Sequence, residues 1–193
     1  HGVYGRIYGG EGGPLGNEIL LSQTTAGNQN DPDVVGLDGN RFMVAWVNGV
    51  INGRNDVGGL KLRSHVMARF FKGSSAQQNE FRVSGADAIV QSPVLHLGEN
   101  NRVHAGWMQR TEINSSDKFD IWGVTLNAVT GVPAGNPVQV NEFSGGQQMN
   151  PKIAHREDEV VYVWESVGQD LGGHGIVGKS HPSGEEFVIN SQR

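Results

Sequence analysis

RFMVAWV, residues 41–47, is a strand-length stretch in which every residue from Phe42 to Val47 is apolar. A strand with one face in water alternates apolar and polar residues, because successive side chains point to opposite faces of a sheet. A continuous apolar run of this length, rich in residues that favour strands, therefore predicts a strand that is covered on both faces.

This stretch is one copy of an internal repeat. NRFMVAWVN (40–48), NRVHAGWMQ (101–109) and DEVVYVWES (158–166) align on a shared tryptophan. A proline precedes each tryptophan by 14, 14 and 13 residues, and turn-forming residues lie between the two, as in a β-hairpin. The aligned pairs are Pro32 and Trp46, Pro93 and Trp107, and Pro151 and Trp164. We expect the three indole rings to pack in the core.

Two more strand-like segments precede each proline, for example GVYGRIY (2–8) and NEILLSQ (17–23). Four short strands in every ~40–60 residues are typical of a β-propeller blade, in which neighbouring sheets cover both faces of an inner strand. The sequence thus predicts an all-β, propeller-like domain of three and a half four-stranded blades, completed by homo-oligomerisation. The units are approximately 1–59, 60–118 and 119–174, with a half unit at 175–193. A two-sheet sandwich and a β-solenoid are the alternatives.

Composition excludes several classes of function. The net charge is −5 and no basic block occurs, which argues against nucleic-acid binding. No apolar run approaches the ~18 residues of a membrane span. Cysteine is absent, which excludes disulfides, thiolate chemistry and Cys-ligated zinc.

The patterns YGRIY, EILLSQ and PDVVGLDGNRFMVAW, with the later VYVWESVGQDLGGHGIVGKS and EEFVIN, resemble a repeat of large secreted and surface proteins of bacteria. That repeat has the form G-x-Y-x-R-x-F, E-F-x-V-N and P-x-V-A-x-L-x-D-G-x-F-V-V-x-W. The second unit departs from it, with Ala68 where Gly5, Gly123 and Gly178 stand. The resemblance implies a propeller-like repeat, a secreted or cell-surface location, and an adhesive or glycan-facing role without established catalytic residues.

The loops after the three Trp strands carry Asn, Gln, Asp and Gly. Such side chains hydrogen-bond sugar hydroxyls, and their oxygens also suit Ca²⁺, although the same residues are common turn formers. The candidate ligand-binding residues are Trp122, Asp120, Asp56, Asp170 and His174. We interpret Asp31 and Asp33 as part of a strand-start turn, and His104 as a hydrogen-bonded core residue.

These patterns favour a lectin-like carbohydrate-binding or adhesion module whose partner is a glycan or a cell-surface molecule. We predict no catalytic residues, no enzymatic activity and no cofactor other than possible Ca²⁺; the identity of any metal site is open. Two alternatives remain: a polysaccharide-active enzyme that uses loop carboxylates, and a purely structural segment of a surface protein.

Overall fold

The computed structural model describes residues 2–54, 60–85, 88–110, 118–157, 159–169 and 173–190, with the backbone alone at 50–54 and 60–62. These residues contain fifteen β-strands and no helix, and therefore no helix long and apolar enough to cross a bilayer. The strands are β1 (Tyr4–Gly5), β2 (Ile19–Leu20), β3 (Asn28–Leu37), β4 (Arg41–Arg54), β5 (Leu60–Lys72), β6 (Ser75–Ala76), β7 (Phe81–Arg82), β8 (Ile89–Leu97), β9 (Arg102–Arg110), β10 (Asp120–Asn127), β11 (Val138–Gln139), β12 (Gln148–Arg156), β13 (Glu159–Val167), β14 (His174–His181) and β15 (Phe187–Val188).

The strands form three antiparallel sheets, which we call blades 1 to 3, and one two-stranded sheet, which we call the half-blade. Blade 1 has the order β3-β4-β5, with the short strands β6 and β7 both pairing with the outer edge of β5. Blade 2 is β8-β9-β10-β11 and blade 3 is β12-β13-β14-β15. The half-blade pairs β1 with β2. The predicted all-β class and four-stranded blade pattern are confirmed, whereas completion by oligomerisation stays a prediction.

Each blade combines strands from two successive units of the sequence. In each blade, the Pro-led strand and the Trp strand of one unit are followed by the first two strands of the next unit, because the Trp strand hydrogen-bonds to the strand that follows it along the chain. As a result, the half-blade comes first in the described chain. Strands β14 and β15, within the predicted half unit and at its border, supply the outer half of blade 3.

The apolar sequences of the three Trp strands predict that both faces of each strand are covered. Trp46, Trp107 and Trp164 are at most 1% exposed. Each indole lies in a cluster shared with the preceding sheet: Trp46 with Val3 and Leu21 of the half-blade, Trp107 with Met43 and Ala45 of blade 1, and Trp164 with Met108 of blade 2. The Trp strands are therefore packed between sheets, and core packing of the indoles is confirmed.

Carboxylate side chains join neighbouring sheets at their outer edges. Glu80, which precedes β7, accepts hydrogen bonds from the backbone N–H groups of Gln23 (2.7 Å) and Thr24 (3.2 Å) after the half-blade. Glu186, which precedes β15, accepts the N–H groups of Glu142 and Phe143 after blade 2 in the same way. Through these hydrogen bonds Glu80 joins blade 1 to the half-blade, and Glu186 joins blade 3 to blade 2.

Close sheet packing requires a small residue at one strand position. Gly123 of β10 faces Tyr162 of blade 3, and a Cβ atom added to Gly123 would lie 2.4 Å from the Tyr162 Oη and 2.9 Å from its Cζ. Tyr162 is 3% exposed and packs in the apolar cluster between blades 2 and 3. The glycine therefore sets the spacing of blades 2 and 3.

We predict that Gly123→Ala lowers the free energy of unfolding by about 1–3 kcal/mol, because the added methyl overpacks this interface. Gly36→Ala in β3 is the matched control, since a Cβ added there meets nothing within 4 Å. Urea unfolding of both variants measures the difference. Equal stabilities of the two variants would contradict this account of the interface.

Candidate functional site

The three Pro-led strands gather on one side of the molecule. β3 lies beside β8, and β8 lies beside β12. Each is the edge strand of its blade and pairs with the Trp strand on one side, with no ladder partner among the described residues on the other. Their open edges therefore form a continuous surface to which all three blades contribute equivalent positions.

The same irregularity interrupts each of these strands. The pairing register with the Trp strand shifts between Asn30 and Asp33, between Gln91 and Val94, and between Met149 and Lys152, as at a β-bulge. The residue immediately before the proline has a positive φ in each copy: 49° at Asp31, 49° at Ser92 and 54° at Asn150.

This conformation is unfavourable for two reasons. Residues other than glycine rarely adopt positive φ, and a following proline restricts its neighbour to extended conformations. Such residues cost on the order of 1–3 kcal/mol each and cluster at functional sites, where the surrounding structure holds them in place. Here the strain is repeated at one position of each blade, and each time it carries a polar side chain.

We call Asp31, Asp33, Ser92, Asn150 and Glu165 the inner arc. Asp31 Oδ2 accepts the Ser92 N–H (3.3 Å), and Asp33 Oδ2 accepts the Leu95 N–H (2.6 Å). Asn150 Nδ2 donates to Glu165 Oε1 (3.0 Å). These contacts run from blade 1 to blade 2 and within blade 3, so that they fix the side chains from both ends of the arc.

The inner arc is rich in hydrogen-bonding groups that face solvent. Asp31 and Asn150 are exposed, and Asp33, Ser92 and Glu165 are half-buried. In the described part of the chain, no basic side chain forms an ion pair with any of the three carboxylates. The arrangement can donate and accept hydrogen bonds along a polyhydroxylated ligand, and its carboxylates can transfer protons.

Among the ligand-binding residues predicted from the sequence, Asp120 has a side chain that is held by a hydrogen bond. Its Oδ1 accepts a hydrogen bond from Asn141 Nδ2 (2.8 Å), while Asn141 Oδ1 accepts the Ile121 N–H (2.7 Å). Trp122 is half-buried and packs against the apolar cluster between blades 1 and 2. It lies opposite Trp107 on one side and Gln139 on the other.

His174 is exposed at the first position of β14, opposite Val167. Asp56 and Asp170 lie outside the described residues. No described contact joins Asp120, Trp122 and His174 to one another, and their role in ligand binding stays a prediction.

Sequence reasoning assigned Asp31 and Asp33 to a turn, whereas they lie within β3 at its bulge. That interpretation is wrong because a register shift inside a strand leaves no mark in the apolar pattern. The available signal was the residue before each aligned proline, which is polar in all three copies.

Comparison with known proteins shows similarity of fold to several solved structures. No protein-family model matches the sequence, and no curated protein matches it. An α-L-arabinofuranosidase from Lactobacillus brevis is similar with a TM-score of 0.55 and 9% identity, over 94% of this chain and 61% of the enzyme. An endo-arabinase from Bacteroides thetaiotaomicron VPI-5482 has a TM-score of 0.55 and 15% identity, over 92% of this chain and 68% of that one.

A xylan β-1,4-xylosidase from Bacillus halodurans C-125 is similar with a TM-score of 0.56 and 11% identity, over 90% of this chain and 32% of the enzyme. The chain thus spans less than two thirds of the arabinofuranosidase and about a third of the xylosidase. At these identities the likeness is one of fold.

These similarities overturn the expectation that the chain is not an enzyme. That expectation followed from the absence of a recognisable catalytic motif. The same arrangement of strands occurs in solved enzymes that share 9–15% of this sequence, so a missing motif is no ground for excluding catalysis.

A second polar feature, at the hairpin-turn end of blades 2 and 3, is a group of histidines around a cavity of about 240 Å³. His104 is 4% exposed, and its Nδ1 lies 2.9 Å from Thr125 Oγ1, which confirms its prediction as a hydrogen-bonded core residue. Its ring stacks on that of His155, with centroids 5.7 Å apart, and His155 lies 6.5 Å from the ring of His96.

Burial, and next the neighbouring His155, lower the pKa of His104 to about 4. Burial is also the main cause of a lowered pKa at His96 and at His181, which lines the same cavity. No three His, Asp or Glu side chains among the described residues are arranged to hold a metal ion. Burial in this cluster therefore favours the neutral imidazoles of His96, His104 and His181.

We predict that the protein loses stability as the pH falls from about 6.5 toward 4. Over that range the unfolded chain binds a proton at His104 and the folded chain does not, so acid favours unfolding by an amount that approaches about 3 kcal/mol near pH 4. Urea unfolding at a series of pH values measures this slope.

His104→Gln keeps a hydrogen-bonding side chain beside Thr125 but cannot titrate, and we expect a flatter slope between pH 4 and 6.5. His174→Gln removes an exposed histidine and serves as the control, which should follow the parent protein. A His104→Gln slope equal to that of the control would contradict the prediction.

Proposed function

We propose that this chain is a carbohydrate-active module that binds a polysaccharide along the inner arc and supports hydrolysis of its glycosidic bonds with the carboxyl groups of Asp31 and Glu165. The observation that carries the proposal is the positive φ repeated at Asp31, Ser92 and Asn150. Backbone strain retained at equivalent positions of three blades is expected where it positions side chains for a ligand.

The chemistry of the inner arc suits a sugar chain. Sugar hydroxyl groups both donate and accept hydrogen bonds, and the arc offers carboxylate, hydroxyl and amide groups at the same position of successive blades. A ligand made of repeating units can contact more than one blade at once, so that several weak contacts add up.

Hydrolysis of a glycosidic bond requires two carboxyl groups with different tasks. One donates a proton to the glycosidic oxygen as the bond from that oxygen to C1 breaks. The other accepts a proton from a water molecule, whose oxygen bonds to C1. Asp31 and Glu165 come from blades 1 and 3, and each has one carboxylate oxygen that is not hydrogen-bonded among the described residues.

The similar solved structures guide the choice of substrate. They are an arabinofuranosidase, an endo-arabinase and a xylosidase, which act on arabinose- or xylose-containing glycans according to their names. We therefore propose arabinan and xylan as the first ligands to test. Polysaccharides do not cross membranes unaided, so the proposal requires the protein to act outside the cell. This agrees with the secreted or cell-surface location that the repeat implies.

The test measures binding and cleavage separately on the same protein. Affinity electrophoresis in gels containing arabinan, arabinoxylan or xylan reports binding, and the release of reducing ends reports hydrolysis. We predict that Asp31→Asn and Glu165→Gln reduce the release of reducing ends by about 100-fold or more, because each removes a proton-transfer group. Asp38→Asn, in the exposed hairpin turn of blade 1, is the matched control and should retain full activity.

Each result bears on a different part of the proposal. Gel retardation with no release of reducing ends would support the proposed binding and contradict the proposed hydrolysis. Absence of both on all three polysaccharides would overturn the proposed function. Full activity in both carboxyl variants would show that the reaction does not use the carboxyl groups of the inner arc.

A further inference from the structure

The half-blade has the pairing geometry of the outer half of a blade. Gly5 lies opposite Ile19, as Ala68 lies opposite Phe81, Gly123 opposite Val138, and Gly178 opposite Phe187. In blades 1 to 3 the other edge of this strand pairs with the Trp strand. In each case the residue before the tryptophan lies opposite the small residue: Ala45 opposite Ala68, Gly106 opposite Gly123, and Val163 opposite Gly178.

β1 has no such partner among the described residues. The Val3 carbonyl accepts the Leu21 N–H (2.8 Å) and the Ile7 carbonyl accepts the Leu15 N–H (2.9 Å), so these residues direct their main-chain groups toward β2 and its connecting loop. Alternate residues of a strand direct theirs the other way. Tyr4 and Arg6 therefore present N–H and carbonyl groups, without a ladder partner among the described residues, along the open edge of β1 and the residue that follows it.

A groove of about 270 Å³ runs beside this edge, between the half-blade and the face of blade 1. Its lining is mostly apolar and includes Val3, Tyr4, Pro32, Val34 and Phe42. Tyr4 is 61% exposed and Val34 is 60% exposed. The residues that match Val34 in blades 2 and 3 are half-buried, since an inner pair of strands from the preceding blade covers them.

We propose that the open edge of β1 and this groove form a docking site for a β-hairpin of the same repeat type, made of a Pro-led strand and a Trp strand that lie outside the described residues. The Trp strand of the hairpin pairs antiparallel with β1, so that the residue before its tryptophan lies opposite Gly5 and the tryptophan lies opposite Tyr4. The Pro-led strand then covers Val34.

The register of the existing blades selects this occupant. A small or β-branched residue precedes the tryptophan in all three Trp strands and fits opposite the glycine or alanine of the neighbouring strand. Addition of a strand to a free edge gains main-chain hydrogen bonds, and the apolar face of the hairpin buries the groove. The three hairpins among the described residues already pair within their own blades, so a described hairpin of a second copy could occupy the groove only by leaving its own blade.

This inference rests on the fold and is independent of the proposed reaction at the inner arc. The probe is a synthetic peptide with the sequence of residues 148–167, which form the β12–β13 hairpin. Binding is measured by fluorescence anisotropy, and hydrogen exchange followed by NMR locates it. We expect slower exchange of the Tyr4 and Arg6 amides when the peptide is bound.

Two valines of equal exposure provide a matched pair of variants. Val34, at 60% exposure, lines the groove, and Val132, at 61%, lies beyond β10 in blade 2. Val34→Lys places a charge under the hairpin and should weaken peptide binding about tenfold or more, whereas Val132→Lys should leave it unchanged. A peptide with proline in place of Tyr162, which lies opposite Arg6 in this register, loses a main-chain donor to β1 and should bind at least tenfold more weakly.

Three results would overturn the proposal: no protection of Tyr4 and Arg6 at saturating peptide, equal binding by the two lysine variants, or equal binding by the proline peptide. Sedimentation of the protein without peptide tests whether a second copy of the chain occupies the groove. A dimer in which the same two amides are protected would assign the groove to a second copy instead.

Discussion

The fold depends on the burial of the Trp strand on both of its faces. Phe42 to Val47 include no polar residue, so this strand is stable only between two other apolar surfaces. A single sheet offers one such surface, which is why successive sheets stack face to face with the indole of each blade directed toward the preceding sheet. The hairpins, the small residues at the interfaces and the open groove beside β1 are all consequences of this requirement.

Stacking of like sheets also determines where functional groups can lie. Faces are occupied by neighbouring blades, so polar side chains must be placed at the edges and ends of the sheets. The Pro-led strands supply one such edge, and their bulges direct Asp31, Ser92 and Asn150 to equivalent positions. A rigid stack with a strained polar edge is suited to bind an extended ligand, which is the basis of the proposed carbohydrate activity.

The two ends of the blades differ in chemistry. The hairpin-turn end carries histidines around a cavity between blades 2 and 3, where burial disfavours the charged forms of His104 and His181. The opposite end carries amide groups that satisfy the buried indoles, as Gln109 does for Trp107 and Gln148 for Trp164. Acid therefore disfavours the packing of blades 2 and 3 at the hairpin-turn end, where His104 is buried.

The sequence by itself determined the strands, the hairpins and the burial of the tryptophans, because side-chain alternation and turn residues are local properties. It did not reveal the left-handed conformation before each proline, or the contact of Asp31 with Ser92, which is 61 residues away in the chain. The sequence also did not predict the hydrogen bond from Asn141 to Asp120, because these residues meet only when β10 pairs with β11. Tertiary structure decided these features, because strain at a bulge and contacts between blades arise only once the sheets are stacked, and no local pattern encodes them.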